Sequence, residues 1–148
     1  MKTICINVYQ IQEHPNPSKV FDWIRDNWHD LNNHSRDEFI LSLQALADKI
    51  CGKLDYCLSV VPDRGEYLRI DDYDSDALAE LDAGKCPLTG VCWDVDIIEA
   101  FQKGNPQSAL KALHKDTEYL YSDEGLKEFC EANDYYFTES GKPMNDAQ

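Results

Sequence analysis

KLDYCLSVVPDRGEYLRI, residues 53–70, decides the fold class. Two runs rich in apolar, aromatic and β-branched residues, Lys53 to Val61 and Glu66 to Ile70, flank Pro62-Asp63-Arg64-Gly65. Pro presets the first turn dihedral and Gly accepts the left-handed one, so the stretch predicts a β-hairpin. Strands are therefore expected inside a chain whose remaining periodicity is mostly helical.

Upstream of the hairpin, Ser35 followed by Glu38 has the spacing of a capping box, in which two side chains each satisfy an orphan backbone donor. The stripe Phe39, Leu43, Leu46, Ile50 predicts the helix behind it, with Gly52 placed to end it in the left-handed conformation. Earlier still, Lys2 to Ile11 alternates, with Ile4, Ile6 and Val8 against Cys5, Asn7 and Tyr9, which is the period of a strand. HPNP at 14–17 breaks it, and Ser18 is expected to cap a helix carrying Val20, Ile24, Trp28 and Leu31.

Downstream, residues 71–82 hold six acidic side chains and no base, with Leu78 and Leu81 to anchor a short surface helix. A loop with Pro87 and Gly90 leads to a helix marked by Val95, Ile97, Ile98 and Phe101 and closed by Gly104. Pro106 suits the start of the next helix, through Leu110, Leu113 and Leu120. Ser122 with Asp123 and Glu124 opens a last helix containing Leu126, Phe129 and Cys130, because carboxylates are favoured at the positive end of a helix dipole. Tyr135 to Thr138 read as a final strand. The expected fold is α+β: a small, mainly antiparallel sheet of about four strands, including the central hairpin, covered by five or six helices. One domain is expected over 1–140, with 141–148 a flexible tail.

A chain of 148 residues is long enough for a core without staples, burying roughly 68–70% of its unfolded surface. With 43% hydrophobic and 11% aromatic residues it has the side chains that disordered chains lack. No stretch approaches the ~18 apolar residues of a membrane span, and the first residues lack the apolar centre of a signal peptide, so a cytoplasmic location is expected. The six Cys, at 5, 51, 57, 86, 92 and 130, are then read as mostly reduced thiols in the core.

The net charge of −14 repels nucleic acid and anionic membrane and attracts basic surfaces. Neither direct nucleic-acid binding nor membrane binding is expected. The excess lies in the second half of the chain: residues 1–52 carry −2, against −7 for 53–104 and −5 for 105–148.

No stretch carries a defined catalytic, cofactor or metal signature. Cys51, Cys57, Cys86 and Cys92 form two C-x5-C pairs, wider than the C-x2-4-C of structural zinc sites, and are read as packed thiols. His14, His29, His34 and His114 include no HExxH and are read as surface or capping residues. Arg64, at the hairpin tip, has Asp63 and Glu66 to neutralise it. The loop from Cys86 to Cys92 lacks the Gly-Lys-Ser/Thr ending of a phosphate loop, and the acidic run lacks the Gly and terminal Glu of a calcium loop. No catalytic residue, cofactor or metal is assigned.

The acidic run is the remaining candidate: Asp71, Asp72, Asp74, Asp76, Glu80 and Asp82, then Asp94, Asp96 and Glu99. Alternate residues on an extended chain lie ~6.6 Å apart, and residues four apart on a helix ~6 Å. Such rows of carboxylates can imitate a phosphate backbone, although a charge run also serves plain solubility.

The segment Glu118-Tyr119-Leu120-Tyr121-Ser122-Asp123-Glu124, with Phe129-Cys130-Glu131-Ala132-Asn133-Asp134-Tyr135-Tyr136-Phe137-Thr138-Glu139-Ser140-Gly141-Lys142, resembles small acidic proteins of bacteriophages and prophages, some labelled antitoxin-like. The resemblance covers about the last thirty residues. It implies a cytoplasmic accessory protein made during infection or lysogeny, and it carries over no site residue. Joined to the charge, it leads to an expected phage-encoded inhibitor that binds the basic surface of a host nucleic-acid-binding defence protein, a CRISPR effector or restriction nuclease, as a nucleic-acid mimic. The alternatives are an antitoxin or assembly partner acting through Trp93, Tyr119 and Tyr121, and an enzyme built on Arg64, Glu66, His29, His34 and the thiols.

Overall fold

The structure, a computed structural model, describes residues 6–58, 65–85, 87–90 and 93–144. In chain order it contains β1 (Val8–Gln10), a 3-10 turn (Ile11–Glu13), α1 (Pro17–Asn27), α2 (Asn33–Lys49), β2 (Lys53–Cys57), β3 (Tyr67–Asp71), α3 (Ser75–Glu80), α4 (Trp93–Gln102), α5 (Gln107–Leu120), α6 (Asp123–Asn133) and β4 (Tyr136–Thr138). The fold is α+β. Among the described residues four strands form two antiparallel pairs, β1 with β4 and β2 with β3.

The chain divides into two compact units, one made of the residues up to Asn32 with those from Thr117 onward, the other of Asn33–Asp116. In the second unit β2 and β3 form the expected antiparallel pair, registered from Lys53 opposite Asp71 to Cys57 opposite Tyr67; the expected first strand ends at Cys57, and its residues 59–61 lie outside the described residues. The expected turn residues 62–64 lie outside the described residues. Alternation along β3 buries Leu68 and Ile70, while Tyr67, Arg69 and Asp71 face solvent. Phe39, Leu43, Leu46 and Ile50 are fully buried along α2 and pack with Ile97, Ile98 and Phe101 of α4 and with Leu110 and Leu113 of α5.

Two expectations about α2 are corrected. The helix begins at Asn33, so Ser35 lies within its first turn instead of at a cap, and Glu38 turns to His34, 2.9 Å away. At the other end Cys51, not Gly52, takes the left-handed conformation, with φ 58°. The amides of Gly52 and Cys51 bond to the carbonyls of Ala47 (2.8 Å) and Asp48 (3.3 Å), which is the Schellman pattern with Cys51 at the left-handed position. Gly52 is needed for a different reason: a Cβ there would stand 2.8 Å from Tyr73 Cβ and overlap Ile70 Cγ2.

The first unit packs α1 and α6 around Ile11, Val20, Phe21, Ile24, Leu126, Cys130 and Phe137. Ser18 does not cap α1; Pro17 already stands in the first turn, and Asn16 is the cap residue, without a side-chain bond. The cap of α6 is as expected, with Ser122 Oγ accepting from the Gly125 amide at 3.1 Å. β1 begins at Val8 and ends at Gln10, where Ile11 leaves the strand; residues 2–5 of the expected strand lie outside the described residues. The chain does not trail free from residue 141. Pro143 bridges Phe137, the Thr138 amide bonds to the Lys142 carbonyl, and Gly141 is buried with φ 95° against the backbone of Lys19.

His14 is buried, which overturns its reading as a surface residue. Its Nδ1 accepts from the Asn16 amide at 2.9 Å, and its Nε2 lies 2.7 Å from the Thr138 carbonyl. A carbonyl can only accept, so the pair of bonds fixes the Nε2–H tautomer and ties the entry of α1 to β4. The ring is packed edge-on to Tyr9 at 5.5 Å.

Candidate interaction surface

Every acidic residue of the 71–82 run is exposed, because the run supplies only Leu78 and Leu81 to bury. Several of its carboxylates have local work. Asp71 pairs with Arg69 at 3.2 Å, while Arg69 also reaches Asp55 at 2.6 Å and stands over the Tyr67 ring. Asp72 has φ 57° and lies 4.0 Å from Lys53 Nζ. Asp74 caps α3 by accepting from the amides of Asp76 (3.0 Å) and Ala77 (3.2 Å), and Asp82 accepts from the Gly84 amide at 3.0 Å.

The carboxylates of Asp76 and Glu80 on α3, and of Asp96 and Glu99 on α4, pair with no base among the described residues. Each pair is three or four residues apart and so shares a helix face. Gln102 joins the two helices by donating from Nε2 to the carbonyls of Leu78 (3.0 Å) and Leu81 (2.6 Å). Each of the two joined helices thus carries an exposed acidic pair.

Asp94 does not belong with these pairs. It is 4% exposed and accepts five hydrogen bonds. Oδ2 receives the amides of Leu88 (2.9 Å), Thr89 (3.0 Å) and Gly90 (2.9 Å), and Oδ1 the hydroxyls of Ser42 (2.8 Å) and Thr89 (3.0 Å). Burial opposes its charged form, but the Thr89 amide, Ser42 hydroxyl, Gly90 amide and Thr89 hydroxyl together outweigh burial and hold its pKa below the ordinary aspartate value. A carboxyl whose folded pKa is depressed contributes stability that is complete above its unfolded value, about 3.9, and is lost as pH falls through the folded one. Acid unfolding followed by circular dichroism is expected to steepen below about pH 4, and less so in Asp94→Asn.

The aromatic expectation is also redrawn. Trp93 is buried against Phe39 at 5.5 Å, and Tyr121 is half-buried, its hydroxyl donating to the Trp28 carbonyl at 2.7 Å. Only Tyr119, 49% exposed and donating to Glu128, stands at the surface. The surface aromatics that do meet are Trp23, Trp28, Phe129 and Tyr135 of the first unit. Trp28 lies 5.5 Å from Trp23, 6.5 Å from Phe129 and 5.4 Å from Tyr135. Sequence periodicity placed Trp28 on the core side of α1, and it packs against that core, half-buried, from the position just past the helix end at Asn27.

Of the candidate catalytic groups, His29, His34 and Glu66 each have a partner among the described residues. His29 Nε2 is bonded to the Asp26 carbonyl and His34 to Glu38, while Glu66 meets His114 at 2.9 Å, a partner that sequence spacing did not suggest. Arg64, Cys86 and Cys92 lie outside the described residues, so the four-thiolate set is not seen as a whole. Cys51 and Cys57 are exposed, contrary to their reading as core thiols; Cys130 is buried, and burial with the nearby Glu131 pushes its thiol up to about 12. Among the described residues no group of three or more His, Cys, Asp or Glu is placed to hold a metal ion. No helix among them is long and apolar enough to cross a membrane.

No family description, curated protein or solved structure matches this chain.

Proposed function

We propose that this chain is a non-catalytic binding protein whose acidic face engages the basic, nucleic-acid-handling surface of a host protein. The carrying observation is the set Asp76, Glu80, Asp96 and Glu99, four exposed carboxylates that pair with no base among the described residues, on two helices joined by Gln102. Like charges three or four apart on a helix cost about 0.2–0.5 kcal/mol each. Asp76 and Asp96 stand in the first turns of α3 and α4, where the helix dipole favours a carboxylate, but their repulsion with Glu80 and Glu99 is relieved only by a cationic partner. Asp71, Asp72, Asp74 and Asp82 extend the same field at its margin, and Asp94 contributes by fixing the start of α4. In the phage setting implied by the carboxy-terminal resemblance, the partner is a CRISPR effector or restriction nuclease, and binding blocks its nucleic-acid site.

Bait capture from bacterial lysate tests this. The variant to compare is Asp76→Asn, Glu80→Gln, Asp96→Asn, Glu99→Gln, which leaves the cap residue Asp74 and the buried Asp94 intact. Nucleic-acid-binding proteins are expected to be recovered by the parent chain at low salt, at least ~10-fold less by the variant, and lost in high salt, because exposed charges are screened beyond a Debye length of ~8–10 Å. Equal recovery by parent and variant counts against the proposal.

A further inference from the structure

The acidic face leaves unexplained a second surface on the other unit, the half-buried rings of Trp23, Trp28, Phe129 and Tyr135. Trp28 follows the last residue of α1, its amide bonded to the Ile24 carbonyl at 2.7 Å, and so stands where three other rings reach it. Tyr135 is 37% exposed, and the two Trp and Phe129 form the outer layer over the core of Ile24, Leu126 and Phe137. Aromatic rings left in contact with water are more typical of interfaces than of the remaining surface.

The charge around these rings selects the occupant. Residues 17–31 and 123–137 carry eight acidic side chains against three basic ones. One of the three, Arg25, is already engaged by Asp22, Asp123 and the Tyr121 carbonyl. Asp26 and Glu131, near Trp23 and Phe129 in the chain, pair with no base among the described residues. An aromatic surface attracts a cation through the negative face of its rings, Trp most strongly, and unpaired carboxylates add to that attraction. A purely apolar partner would leave these carboxylates without compensation.

We infer that the Trp23–Trp28–Phe129–Tyr135 surface is a docking site for an arginine-bearing segment of a protein partner. Guanidinium groups stack on the exposed rings while the flanking carboxylates accept their N–H groups. The inference does not rest on the acidic face of the other unit and stands or falls separately.

The test is a titration of the full chain with a blocked peptide of alternating Gly and Arg, against the same peptide with citrulline, which keeps the shape and removes the charge. The indole N–H resonances report by NMR. The signals of Trp23 and Trp28 are expected to shift saturably with the Arg peptide while that of Trp93, buried in the other unit, stays in place. Trp28→Ala and Tyr135→Ala are each expected to weaken binding at least tenfold. Asp26→Asn with Glu131→Gln, exposed changes that leave the rings intact, is expected to weaken it several-fold. Equal binding of the citrulline peptide would overturn the inference in favour of an apolar occupant. Indole signals of Trp23 and Trp28 that stay in place as the Arg peptide is added, or binding unchanged in both the Tyr135 and the Asp26/Glu131 variants, would overturn it outright.

Discussion

Asp94→Ala is expected to lower the unfolding free energy by about 3–4 kcal/mol, measured by urea denaturation at neutral pH. Each hydrogen bond to a charged group contributes about 1.5–3 kcal/mol, and a buried donor left alone costs about 1–3 kcal/mol. Five bonds converge on this carboxylate, so a simple sum would be far larger. Thr89 and Gly90 are exposed, however, and water can reach part of what the carboxylate leaves, which holds the expected loss near the lower end. Asp94→Asn separates charge from shape. Its carbonyl oxygen can still accept the three amides while its NH2 donates to the two hydroxyls, so the expected loss is about half as large. Equal losses for Ala and Asn would mean that hydrogen-bonding shape contributes nothing and that charge alone holds the loop.

Gly125→Ala is expected to destabilise the first unit by about 2 kcal/mol, although Ala is the better helix former by about 1 kcal/mol. The reason is the corner between α5 and α6, where only Tyr121 and Ser122 separate two helices. The Ser122 amide and hydroxyl both donate to the Tyr119 carbonyl, which brings that oxygen against Gly125. A Cβ there would overlap the Tyr119 oxygen and stand 2.9 Å from the Leu120 oxygen. Backbone atoms cannot rotate away as a flexible side chain would, so the ~1–3 kcal/mol or more of overpacking outweighs the propensity gain. Hydrogen exchange at the amides of α6 reads the effect, with faster exchange expected in the variant. Unchanged or slower exchange would show that the corner relaxes at little cost.

What the sequence could say about this fold was set by how local each signal is. The Ser122 cap, the α2 stripe and the strand pairing within residues 53–71 depend on neighbours in the chain, and they are found in the structure. The Ser35 box failed because Glu38 had a competing partner in His34, four residues before it. Gly52 looked like a left-handed residue because Gly usually is one; the requirement came instead from Ile70 and Tyr73, some twenty residues away. The pairing of β1 with β4 spans nearly the whole chain and left no mark in the local pattern.

The candidate site divides along the same line. That residues 71–82 face solvent was legible, because a stretch with two apolar anchors has nothing else to bury. Asp94 was misplaced with them since a count of charges does not say which carboxylate has found donors. The Thr-Gly before it was the available cue, as small loop residues let successive amides turn toward one acceptor. The ring cluster around Trp28 left no local mark, because Phe129 and Tyr135 join it from the far end of the chain.

The most direct test of the central claim is a binding titration with a captured nucleic-acid-binding partner, purified, across a range of salt and with duplex DNA as competitor. DNA and this chain are expected to exclude one another, with affinity that falls steeply with salt; neutralising Asp76, Glu80, Asp96 and Glu99 is expected to flatten that dependence and weaken binding at least ~10-fold. Simultaneous binding of DNA and this chain, with affinity indifferent to salt and to those four carboxylates, would contradict it.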